Sequence, residues 1–300
     1  MEREVIEMQW QLRTIMMFAF MTGLLVVIGL VAGALLGNMW MGMWVMLGFS
    51  VLINIVSLFA SKKMALSAHK VHLVTRAEEP VLYDVVERLA NKAGLPMPEV
   101  GVSEMQIPNA FATGRGPKDA AVVATRPLLN MLTEEELEGV MAHELSHVKN
   151  RDILVMSVAS TLASIIAFVT RMAVYSAIFN NDEDNGANLA LVLLMDITMP
   201  IAAMLIQLGV SRSREYLADE SGARLTGKPM ALASALTRLE GGCTARGNTY
   251  NSDATANMWI TNPRGKSALS GLQNLFRTHP TTEDRIARLR KLDAELNGRY

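Results

Sequence analysis

The chain has 300 residues, half of them hydrophobic, with a mean hydropathy of +0.23, which is too apolar for an ordinary soluble domain. A formal net charge of -1 leaves no basic footprint for nucleic acid. The single cysteine, Cys243, excludes an intrachain disulfide framework and a thiolate zinc cluster, so any metal must be held by histidine and carboxylate.

In chain order, residues 14–37 run without a charge for longer than the ~20 residues a helix needs to cross the hydrocarbon core. Residues 39–60 form a second uncharged run after Asn38, so the two predict a tight membrane hairpin. The first run is too long for a signal h-region and lacks a small-residue cleavage pattern, which argues for retention. Arg3 and Arg13 precede the hairpin and Lys62, Lys63, Lys70 and Arg76 follow it, placing both flanks in the cytoplasm. His69 and His72 are read three apart on a helix leaving the membrane, with no acidic or thiol partner to complete a second metal site.

Residues 80–93 predict an amphipathic helix, with Leu82, Val85, Val86, Leu89 and Ala90 on one face, Pro80 in the first turn and Gly94 as cap. "EVGVSEM" (99–105) and "AAVVAT" (120–125) read as short strands, joined by the polar, Gly-rich connection "QIPNAFATGRGPKD". Thr133 and Glu136 form a capping box opening a helix whose apolar stripe is Leu137, Val140, Met141, Leu145 and Val148. Beyond it, residues 153–180 (with Arg171) and 188–210 (with Asp196 and Pro200) read as a second membrane hairpin, the alternative being buried core helices. The acidic loop "NNDEDN" between them and "SRSR" after them agree with the topology of the first hairpin, with both termini in the cytoplasm. Gly241 to Gly271 reads as a long loop able to close over a cleft.

The helix that starts at Thr133 carries "VMAHELSHVKNRD", residues 140–152, which brings together three of the chemically richest side chains in a protein with only five histidines. Four-residue spacing stacks His143 and His147 one turn apart, on a face other than the apolar stripe. Two such imidazoles can reach one zinc ion at ~2.0–2.1 Å, and Glu144 beside the first suits a general base for an attacking water. The bland reading is a helix with two surface histidines. The extension His-Glu-x-x-His-x-x-Gly-x-x-His fails, because Asn150 and Ile153 occupy its last key positions, so a third ligand must come from further along. In "SRSREYLADESG" (211–222), Glu215 and Asp219 are four apart: Glu215 is the candidate ligand and Asp219 the candidate acceptor of a ligating histidine's other N–H. The alternative makes both acids salt-bridge partners of Arg212, Arg214 and Arg224.

Taken together, "AHELSHVKNRD", two apolar runs and "SRSREYLADESGARLTG" resemble the HtpX-type membrane metalloproteases, relatives of the CAAX prenyl proteases. The resemblance extends over nearly the whole chain, including "SKKMALSAHKVHLV", "PNAFATG", "MWITNPRGKSALSGLQNLFRTHP" and "EDRIARL". It implies a mainly α (α+β) fold: a gluzincin-like metallopeptidase domain with a small β-sheet, built on about four transmembrane helices. In those terms the chain divides into a hairpin (1–61), the first part of the protease domain with the zinc helix (62–152), a second hairpin (153–210) and the second part (211–300). It further implies one Zn2+ held by His143, His147 and Glu215, with Glu144 as base and His279 steadying the oxyanion. Asn109, Ala110, Phe111 and Ala112, within "NAFATG", would border the cleft where an extended substrate adds to the sheet. Thr281 departs from the family, which has a second proline there.

The expected function is therefore a zinc endopeptidase of the bacterial inner membrane, cleaving membrane or misfolded proteins at the cytoplasmic face as part of quality control under stress. The lipid bilayer is its other expected partner. A processing protease for lipidated C-termini is the alternative within enzymes, and a transporter or scaffold using Arg171 and Asp196 the alternative outside them.

Overall fold

The computed structural model describes residues 2–35, 37–179, 212–245 and 280–298. The fourth apolar run with Asp196, His279, and most of the 241–271 segment lie outside these residues. Helices α1 (Glu2–Leu35) and α2 (Met39–Ala68) form the expected hairpin, capped at the turn by the Asn38 side chain, which accepts from the Met41 amide. The two helices approach closely through glycines. A Cβ on Gly42 would lie 2.2 Å from the Gly29 carbonyl oxygen and 2.7 Å from Gly33 Cα, so Gly29 and Gly33 act as a small-residue contact face. Asn54 adds a polar tie to Thr22 Oγ1 at 3.1 Å.

Among the described residues, α2 is the helix long and apolar enough to cross a membrane, with a mean hydropathy of 2.1 over its best window. Trp40, Trp44, Phe49, Leu52, Ile55 and Phe59 stand exposed along it. Thr14–Leu30 of α1 and Asp152–Ile166 of α6 (Asp152–Phe179) are shorter apolar helices.

After α2 the chain does not continue as a helix. His69 caps it, Lys70 takes a left-handed φ of 48°, and β1 (Val71–Leu73) follows. The expected pair of histidines on one helix is thus corrected: His69 is buried at the helix end and His72 belongs to a strand. The three-residue strand is too short to show alternation in sequence.

Helix α3 (Pro80–Ala93) has the expected bounds, buried face and left-handed Gly94 cap. Full burial of Leu82 and Leu89 contributes about 1.5–3 kcal/mol each. A four-stranded mixed sheet packs on it in the order β1-β2-β4-β3. β2 (Glu99–Ser103) lies antiparallel to β1 and parallel to β4 (Ala120–Thr125), and β4 is antiparallel to β3 (Ala110–Gly114). The connection 106–119, expected to be irregular, therefore holds the edge strand. Its small residues "AFATG" gave no polar-apolar alternation because all five are buried, by helices rather than by a second sheet.

Short α4 (Arg126–Met131) leads to α5 (Glu134–Lys149), which carries both parts of the expected capping box. α5 is buried nearly all round, not along one stripe: the histidine face is covered too. α7 (Arg212–Thr226), α8 (Pro229–Ala245) and α9 (Thr282–Asn297) complete the domain around it, and α8 replaces the start of the loop expected from Gly241. Thr281, in place of a second proline, caps α9 by accepting from the Asp284 amide at 3.1 Å. The main core joins the sheet to α3, α5, α8 and α9, while Met17 and Met21 of α1 pack on Leu154, Val158 and Leu162 of α6. Lys62 of α2 ties the hairpin to the domain through Glu99 at 3.1 Å and Asp119 at 3.3 Å.

Glu136 joins α5 to α8. Burial opposes its charge, but the Ser234 hydroxyl at 2.6 Å, the Thr133 amide at 2.9 Å and Arg238 at 2.9 Å outweigh that and hold its carboxyl below the usual range. A depressed carboxylate contributes stability that is present above its unfolded pKa of about 4.3 and is lost as pH falls through the folded value. Glu136→Gln is expected to lower the urea midpoint at pH 7 and to converge on wild type only as pH falls through the lowered folded value of Glu136. A gap between the two proteins that does not change with pH would remove charge from its role.

Candidate active site

The site is made by two helices from distant parts of the chain. α5 supplies His143, Glu144 and His147, all buried, and α7 supplies Glu215 and Asp219. The helices come this close because Gly222 faces the α5 backbone: a Cβ there would lie 2.9 Å from His143 N and 3.0 Å from Ala142 C. These are backbone atoms and cannot swing aside. Gly222→Ala should therefore push α7 off α5 at a cost of about 1–3 kcal/mol. A lower denaturant midpoint together with weaker metal binding checks this; an unchanged midpoint would show that the helices have slack.

The carboxylate of Glu215 faces both imidazoles, with Oε1 3.4 Å from His147 Nε2 and Oε2 3.8 Å from His143 Nε2. The rings stand edge to face with centroids 4.8 Å apart. One ligand atom from each of the three residues lies within 4.8 Å of the others. Tetrahedral ligands at ~2.0–2.1 Å from zinc are roughly 3.3 Å apart, so small side-chain adjustments would bring this set onto one ion.

The other ring nitrogens have partners of their own. His143 Nδ1 is 2.9 Å from Asp219 Oδ1, and His147 Nδ1 is 3.4 Å from Asp152 Oδ2. With its Nδ1–H donated to the neighbouring carboxylate, each ring would present Nε2 to a metal shared with Glu215, the tautomer a metal requires. Without a metal, burial opposes a charge on His147, but Asp152 and Glu215 on either side outweigh it and raise its pKa well above the usual value, so a metal ion would displace the proton from Nε2. For Asp219, burial opposes ionisation, while Arg285 and His143 outweigh it and keep its pKa low.

Arg285 of α9 was not among the expected site residues. It is fully buried and grips Asp219 with two bonds, Nη2 to Oδ1 at 2.6 Å and Nε to Oδ2 at 2.8 Å. A signal existed: Arg285, Leu289 and Leu292 share one face of α9, so an arginine occupies a core position of an amphipathic helix. Asp152, also missed, ends the "HELSHVKNRD" segment but lies past a helix break, where spacing carries no information. Of the alternative salt bridges, Arg224 pairs with Glu220 at 2.9 Å on the surface, and the partner of Asp219 is Arg285 instead.

Asn109, just before the sheet's edge strand, and Ala110 to Ala112 on it are buried. The Thr125 amide donates to Asn109 O at 2.9 Å, so residues 109, 111 and 113 turn their backbone groups toward β4, and those of Ala110 and Ala112 turn to the outer edge. Further along, Ser157 of α6 occupies that edge, 2.9 Å from Thr113 Oγ1 and 3.4 Å from the Gly114 amide. His279 lies outside the described residues.

Residues 76–293 match peptidase family M48. The chain belongs to that family. Among its relatives, a "Protease HtpX homolog" of Thermococcus kodakarensis is 46% identical over 289 residues, covering 95% of this chain and 97% of the relative. Another, of Acaryochloris marina, is 45% identical over 280 residues, covering 91% and 94%. The crystal structure of S. mikatae Ste24p shares the fold at a TM-score of 0.50 and 18% identity, over 95% of this chain and 66% of that one. This M48 protein is accordingly a membrane metalloprotease, and its buried His143, His147 and Glu215 group suits a metal.

Proposed function

We propose that the protein is a zinc endopeptidase acting at the cytoplasmic face of a cytoplasmic membrane, with His143, His147 and Glu215 as metal ligands, Glu144 as general base and Asp219 fixing His143. One observation carries this reading: three buried ligand atoms converge while the Nδ1 atoms of both imidazoles are taken by carboxylates. Zinc is the metal that an all-nitrogen-and-carboxylate set of three protein ligands typically holds in a hydrolase.

When bound, zinc supplies Lewis acidity toward a carbonyl oxygen and lowers the pKa of water toward ~7. The chain's own residues do the rest. Glu144 removes a proton from the attacking water as its oxygen bonds to the scissile carbonyl carbon. It then delivers that proton to the amine nitrogen as the C–N bond breaks. The outward backbone groups of Ala110 and Ala112 hold an extended substrate by strand addition, which places its backbone alongside α5. To His279 we assign stabilisation of the carbonyl oxygen as negative charge develops on it.

For topology, we propose four spans: α1, α2, α6 and the apolar run 188–210, with both termini in the cytoplasm. The positive flanks Arg13, Lys62, Lys63 and Lys70 support that orientation. Substrates would be membrane or misfolded proteins, a reading supported by the apolar helix α6 following the metal helix after only two residues.

The test is cleavage of casein, which is unfolded as supplied, by full-length protein purified in detergent with chelator, before and after adding zinc. Cleavage that appears with zinc and disappears again with chelator is expected. Zinc bound at one per chain without cleavage of casein or of a detergent-solubilised membrane protein would overturn the endopeptidase reading.

A further inference from the structure

Arg151, between α5 and α6, has a φ of 60°, in the left-handed region that non-glycine residues occupy only under strain. Only Asn150 and Arg151 separate the two helices. On an uninterrupted helix, a residue five positions after His147 would sit about 140° round the axis from it. The strained turn instead brings Asp152, the first residue of α6, back against His147: Oδ2 lies 3.4 Å from His147 Nδ1, and the carboxylate is buried.

Its other oxygen, Oδ1, is 3.5 Å from Nε of Arg214, the residue before Glu215, which is buried too. The arrangement repeats the one on the other ligand, where Asp219 lies between His143 and Arg285. Each imidazole is backed by a buried carboxylate, and each carboxylate is held by a buried arginine from another helix. An acid at the start of a helix is ordinarily explained by the helix dipole, which asks only for negative charge near exposed amides. That explanation does not require burial, a left-handed residue before it, or a carboxylate divided between an imidazole and a guanidinium.

We propose that Asp152 is a positioning residue of the metal site: it fixes the tautomer and ring orientation of His147, and so ties metal binding to the seating of the apolar helix α6. The inference rests on His147 being a ligand. Loss of such a partner weakens metal binding by about 10–100-fold. The longer contact, 3.4 Å against 2.9 Å at Asp219, puts Asp152 at the lower end of that range.

The experiment measures zinc Kd by competition with a chromogenic chelator, and the visible spectrum of the Co2+-substituted site, in detergent-solubilised full-length protein. Wild type, Asp152→Ala, Asp152→Asn and His147→Ala are compared, with thermal unfolding of each chelator-treated protein. Asp152→Ala should raise the zinc Kd about tenfold and change the cobalt bands. Asp152→Asn, whose amide oxygen can still accept from Nδ1–H, should raise it by less, at an unchanged apo melting temperature. A Kd within twofold of wild type and an unaltered cobalt spectrum in both variants would overturn the proposal, leaving Asp152 as a partner of Arg214 only. If Asp152→Ala does not fold, Asp152→Asn alone decides by the same criterion. Wild-type protein that binds no zinc, or His147→Ala that binds it normally, would instead sink the metal assignment.

Discussion

Glu215→Ala is expected to bind zinc more than a hundredfold more weakly than wild type. Deleting a partner of a ligand costs about 10–100-fold, and in the proposed site Glu215 is itself a ligand, with one carboxylate oxygen toward each imidazole at 3.4 and 3.8 Å. No other carboxylate among the described residues forms a compact three-ligand group with His143 and His147. The loss should also appear as a protein that added zinc no longer stabilises against heat, since a ligand stabilises only the state that binds it. Zinc content and thermal shift equal to wild type would remove Glu215 from the ligand set, whatever its effect on activity.

Glu144→Gln should do the opposite: keep the metal and lose turnover, by about 10²–10⁴-fold for the proton transfers alone. The amide is close to the carboxylate in shape, so packing is preserved at a position only 5% exposed. Glu144 follows His143 on the same helix and belongs to the buried acidic surroundings that favour the charge on Arg285. Stoichiometric zinc with casein cleavage reduced to background is the expected pair of readings. Turnover within threefold of wild type would assign proton transfer to another group. Together the two variants separate holding the metal from moving the proton.

Much of the site was legible in the chain itself because its elements are local. His143, Glu144 and His147 are set by one helical spacing, and the capping box at Thr133 and Glu136 announces where that helix starts. Glu215 and Asp219 obey the same four-residue rule on α7. The α3 helix, with its proline at the start and glycine at the end, was legible for the same reason. The edge strand β3 was not, since five buried residues on a strand covered by helices lose the alternation that marks a half-exposed strand. Nor was β1, whose three residues show no period, so that His69 and His72 read as one helix in the sequence.

Local pattern carries no sign of the partners of the arginines and the second aspartate. Arg285 is separated from Asp219 by 66 positions, and Asp152 reaches His147 across the left-handed residue Arg151 that breaks the helix. What the sequence by itself determined is the chemistry available on each helix, because helical period and capping are properties of a few consecutive residues. What only the tertiary structure decided is which helices meet, through the close approach at Gly222, and which buried charges neutralise one another once they do. Such pairing depends on distances across the fold, and a buried charge can be tolerated only where another element supplies its partner.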